Sequence, residues 1–180
     1  MCPRHFIVPH MFNSLGRLFH DMDNQCAAYH EVYAYTIGRP GFTLQHVVDA
    51  FAAQTATCES KPIGVVFGLA GLYLHVEKKF SGRQVQKAHM QLGRKKREWP
   101  KVFLPEDRGS MTVSDVLAAP AGPERDAAID EWCRSVWTAF GRNRQTIVAL
   151  MREYRITESL DELRTVTGRS EPPSGPSPTG

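Results

Sequence analysis

Five side chains have the types and spacing of a ligand set: His30, His46, Asp49, His75 and His89. Neutral imidazoles with a carboxylate are the donors that proteins offer to zinc, manganese, iron or nickel. Three such ligands with one coordination position left open lower the pKa of a bound water and permit hydrolysis. Glu31, Glu77, Tyr33 and Tyr35 are then the candidate bases or supporting partners. A metal-dependent hydrolase is the enzyme class these residues point to, and a small-ligand site is the more general reading. The plainer alternative is structural. Buried histidines commonly donate to a carbonyl or carboxylate, and His46 with Asp49, three residues apart, can form a local pair.

The elements that must position these residues are helical. No run alternates cleanly and no Asn-Gly or Asp-Gly joins two β-rich segments. A first helix is expected from about Met22 to Ile37, stopped by Gly38-Arg39-Pro40-Gly41. A second runs from Thr43 to about Thr57, and a third from Pro62, a first-turn proline, to about Phe80. Ser81 with Gln84 makes a capping box for a fourth, ending near Lys96. After an irregular stretch, Thr112 with Asp115 caps a short helix. A long helix then runs from Pro123 to about Tyr154, bent near Gly141, and Thr157 starts a last short one. The expected fold is all-α: about four core helices with the long C-terminal helix packed across them.

Short connections favour up-and-down hairpins, and pairing then follows from counting. His46 falls across from Tyr33 on one side and Leu72 on the other. Asp49 falls across from His30, and His89 from Leu72. Gly64, Gly68, Gly71 and His75 share one stripe of the third helix. Glycines cost about 1 kcal/mol each against alanine in a helix interior, so three in line imply that another backbone approaches there. The Ala50/Ala53 side of the second helix is the natural occupant, and docking it points His46 and Asp49 toward His75. His89 lies on the inward Val85/Ala88/Leu92 stripe, and His30 is placed inward with Cys26, Tyr33 and Ile37.

Other residues offer other chemistry. Arg94, Lys95, Lys96 and Arg97 beside Trp99 are ingredients of phosphate contact and base stacking. Between Lys78 and Lys101 nine basic residues face one acid, whereas the remainder of the chain is net negative within an overall +3. The alternative function is thus an interaction module whose 78–101 face binds an acidic protein or nucleic acid. Cys2, Cys26, Cys58 and Cys133 form no C-x-x-C, and Cys133 between Trp132 and Trp137 reads as a buried thiol.

Length and composition bound the rest. With 180 residues, 42% of them hydrophobic, the chain supports one domain with a core, so whole-chain disorder is excluded. Residues 22–167 are read as that domain, with a poorly ordered leader over 1–21 and a Ser/Pro/Gly-rich tail over 168–180. The longest uncharged apolar run, Ile63–Leu74, is too short for a bilayer's roughly 20 residues, so no membrane partner is expected and the reading is cytoplasmic.

Several segments together resemble a known family. These are His46-Val47-Val48-Asp49-Ala50-Phe51-Ala52-Ala53-Gln54, the glycine-rich helix ending at His75, Thr112-Val113-Ser114-Asp115-Val116-Leu117, and the Trp132/Trp137 pair. They are similar to a bacterial family of uncharacterised proteins, a domain of unknown function, over roughly Tyr29 to Tyr154. The resemblance implies an intracellular protein and supplies no activity. It overlaps His46, Asp49, Gln54 and His75. Where family members continue Gln-His-Pro, this chain has Gln54-Thr55-Ala56.

Overall fold

The computed structural model describes residues 24–39, 43–95 and 98–156. The leader, the tail, the helix expected after Thr157 and the residues Lys96 and Arg97 lie outside them, as does the Lys95 side chain. Among the described residues the chain is all-α: α1 (residues 24–36), α2 (Leu44–Gln54), α3 (Pro62–Val76), α4 (Gly82–Lys95), α5 (Val113–Ala118), α6 (Pro123–Ala139) and α7 (Arg144–Glu153).

Helix α3 is the axis of the bundle. Its sequence is apolar nearly all round, and a helix with no polar face must be enclosed by others. Residues Val65, Val66, Leu69, Ala70, Leu72, Tyr73 and Leu74 are buried accordingly. Helices α2, α4, α6 and α7 pack around it, and α5 leans on α6. Pro62 opens α3 at its first turn, as its fixed φ favours. The helix ends at Val76, short of the expected Phe80, because the chain turns at Lys79, whose φ is +57°. There the Phe80 N–H donates to the Leu74 carbonyl at 3.0 Å and the Lys79 N–H to the His75 carbonyl at 3.1 Å. The Lys79 bond, spanning four residues with its donor in the left-handed conformation, is an αL stop.

The long C-terminal helix is two helices. A 3-10 turn, Gly141–Asn143, separates α6 from α7. Asn143 causes the break: its side chain is buried, with Oδ1 accepting from the Phe103 N–H and Nδ2 donating to the Phe103 carbonyl, each at 2.8 Å. Phe140, fully buried, anchors the corner. The caps fare better. Thr112 and Asp115 form a reciprocal capping box on α5, and Gln84 Oε1 accepts from the Ser81 N–H at the start of α4.

Candidate functional site

Helices α2 and α3 run antiparallel in close contact, and glycine makes the contact possible. A Cβ on Gly68 would stand 2.8 Å from the Asp49 carbonyl oxygen, and one on Gly71 would collide with the Asp49 carboxyl group. Gly64, the third glycine of the stripe, faces open space. Successive rungs are therefore Ala53 on Gly68, Asp49 on Gly71 and His46 on His75. On the last rung the imidazoles stack, with centroids 3.7 Å apart and planes 22° from parallel. Helix α6 crosses beside them and adds Asp130, whose Oδ1 lies 3.0 Å from His75 Nε2. His46, His75 and Asp130 share the wall of a cleft of about 360 Å³, with Lys79, Asp126 and Arg134 around it.

Burial sets the charge states. His46 is 5% exposed. Loss of water, and then repulsion from His75, holds its pKa down to about 3, against a smaller pull from Asp130. It is neutral at physiological pH, and its Nδ1 is buried without a hydrogen-bond partner. Asp130 lies below the usual carboxylate range because His75 donates to it, with partial burial opposing. It is therefore an anion that orients the His75 ring.

One turn along α2 sits a second polar group, enclosed between α2, α3 and α4. Burial pushes the Asp49 carboxyl well above its ordinary range, while the Gln45 amide, donating to Oδ1 at 3.0 Å, pulls the other way. The same amide lies 3.4 Å from His89 Nδ1, and His89 Nδ1 is 4.0 Å from Asp49 Oδ1. Burial holds His89 down to about 4, the Phe67 carbonyl opposing weakly. Asp49 Oδ2 and His89 Nε2 have no hydrogen bond. Four of the five candidate ligands thus form two adjacent pairs: His46 with His75 at the cleft, and Asp49 with His89 in the interior.

The remaining candidates stand elsewhere. His30 is exposed, not inward, its ring centroid 5.5 Å from that of Tyr29. The inward stripe of α1 is Ala28, Val32 and Thr36, which leaves Cys26, His30 and Ile37 outside. None of Glu31, Glu77 and Tyr33 lines the cleft. Glu31 is exposed and Tyr33 packs on Tyr29. Glu77 takes the Arg144 guanidinium at 2.6 Å and the Trp137 N–H at 2.9 Å. Gln54 is a bridge between segments: Oε1 accepts from Trp132 Nε1 at 2.8 Å and Nε2 donates to the Met111 carbonyl at 2.7 Å. Arg94 is exposed on α4, and the Cys133 thiol is fully buried over the His46 carbonyl. Among the described residues no three His, Cys, Asp or Glu side chains converge as a ready-made metal cage.

Sequence reasoning missed Asp130 and Gln45. The signal for Asp130 was present in α6, where Asp126, Asp130 and Arg134 repeat every four residues beside the core stripe. A polar stripe bordering a buried one marks the edge where a helix meets a cleft.

The geometry can be set beside known proteins. Residues 16–141 match a family of unknown function, DUF5946. The chain belongs to that family. No curated protein and no solved structure matches it. The DUF5946 match covers α1 through α6, so every residue of the cleft falls inside it. Among the described residues no helix is long and apolar enough to cross a membrane.

Proposed function

We propose that the protein binds a divalent transition-metal ion (zinc, manganese, iron or nickel) in the cleft, with His75, Asp130 and His46 as ligands. The observation that carries this reading is the 3.0 Å separation of His75 Nε2 and Asp130 Oδ1. Two donors each about 2.1 Å from one ion and at right angles to each other stand about 3.0 Å apart. An ion beside the line joining these atoms can bind both once the His75 ring turns Nε2 toward it and the ring proton passes to Nδ1. His46 supplies a neutral imidazole at physiological pH, the protonation state a metal requires. Its ring is stacked on His75, so it must turn to complete a two-histidine, one-carboxylate set. Positions left open would hold water, and metal-assisted hydrolysis is the reaction class such a set fits.

The expected result of elemental analysis on tag-free protein is near-stoichiometric metal, lost in both His46→Ala and His75→Ala. A metal-free wild type would sink the reading. It would then favour the second one, in which exposed Arg83, Lys87 and Arg94 on a single stripe of α4 bind an acidic protein or nucleic acid.

A further inference from the structure

Lys79 occupies a position where the backbone asks for glycine. It is the left-handed residue of the αL stop that ends α3, at φ +57°, a conformation that penalises any side chain with a Cβ. Its side chain lies on the same cleft as His46 and His75. The other charges of that cleft are already committed. Asp130 holds His75. Asp126 takes the Tyr35 hydroxyl at 2.8 Å and the Arg39 guanidinium. Arg134 is bonded to Glu131 at 2.7 Å. Lys79 is the exception: among the described residues no carboxylate pairs with it, and it stands exposed at the rim.

A cation kept on a strained backbone, beside a buried imidazole whose Nδ1 has no partner, is placed to meet an anion from outside the chain. We infer that the cleft receives the oxyanionic group of a small molecule, a phosphate or a carboxylate, between Lys79 and the His46–His75 pair. An ammonium ion recognises such a group as a point charge. The inference rests on the cleft being the functional site and names the chemistry of what enters it. It does not require the metal to be present.

The test titrates metal-free full-length protein with inorganic phosphate and, separately, with acetate, following the His46 and His75 ring resonances by NMR. The inference predicts saturable shifts in at least one arm, and the tighter arm names the anion. Lys79→Gly is the decisive variant, because it removes the charge and also relieves the backbone. Its dissociation constant should rise at least tenfold while its Tm increases, so lost binding cannot be ascribed to lost folding. Lys78→Ala removes a neighbouring exposed cation outside the cleft and should leave the titration unchanged. No saturable shift with either anion overturns the inference, as does equal binding by Lys79→Gly. Elemental analysis reads the metal independently, so the two readings can fail separately.

Discussion

At the scale of single residues, the interior groups make stability depend on pH with a definite sign. In metal-free protein the folded chain keeps His46 unprotonated down to about pH 3 and His89 down to about pH 4, whereas in the unfolded chain both protonate near pH 6.5. Lowered folded pKa values contribute stability that is present above pH 6.5 and is lost as the pH falls toward them. Asp49 acts in the opposite sense, since its raised pKa lets the folded chain hold a proton that the unfolded chain has released. Between roughly pH 6 and 4.5 the two histidines take up as many as two protons on unfolding, about 2.7 kcal/mol lost per pH unit at most, and the proton held by Asp49 reduces that loss. Asp49→Asn removes the opposing contribution, so the slope should steepen. Urea midpoints measured across that window check both, and a flat profile in Asp49→Asn would contradict the neutral state of His46 and His89 in the folded chain.

At the scale of elements, the α2–α3 contact is the device that builds the cleft, and its glycines are not equivalent. Gly71→Ala drives a methyl group into the Asp49 carboxyl and should cost about 1–3 kcal/mol, the range typical of overpacking. Gly64→Ala meets nothing and should stabilise by up to about 1 kcal/mol through helix propensity. Denaturant unfolding of the two variants should therefore give opposite signs. This contact was legible in the sequence because close backbone approach needs glycine at helical spacing, and Gly68 and Gly71 announced it. The inward face of α1 was not legible. Its apolar residues run nearly all round the helix, so nothing in their spacing set the buried Ala28/Val32/Thr36 stripe above the Cys26/His30/Ile37 side expected to face inward. The split of the C-terminal helix was hidden for a different reason. Gly141 marked a weak point, but the buried Asn143–Phe103 bonds that break it join residues forty apart.

At the scale of the whole molecule, α6 decides the site, and that explains which part of it the sequence concealed. Counting across hairpins places neighbours that follow one another in the chain, and it brought His46 near His75. Asp130 reaches His75 from 55 residues away across a non-sequential packing, which no hairpin count registers. The buried face of α6, Ile129, Trp132, Cys133, Val136 and Trp137, docks it, and the Gln54 bridge fixes its register by joining α2 to Trp132 and to the Met111 segment. Gln54→Ala should cost about 1–3 kcal/mol by orphaning the Trp132 N–H, and should loosen Asp130 against His75 as well. Gln54→Glu keeps the indole acceptor but sets a carboxylate oxygen against the Met111 and Arg108 carbonyls where the amide donated, so its cost should be at least as large. Thermal unfolding of the pair checks that order.

The central proposal is that a metal ion binds between His75 and Asp130. Calorimetric titration of zinc into chelator-stripped protein tests it most directly. The account predicts about one zinc per chain and its loss in both His75→Ala and Asp130→Asn while each variant remains helical. Absence of saturable binding by the wild type, or binding that survives unchanged in both variants, would contradict it.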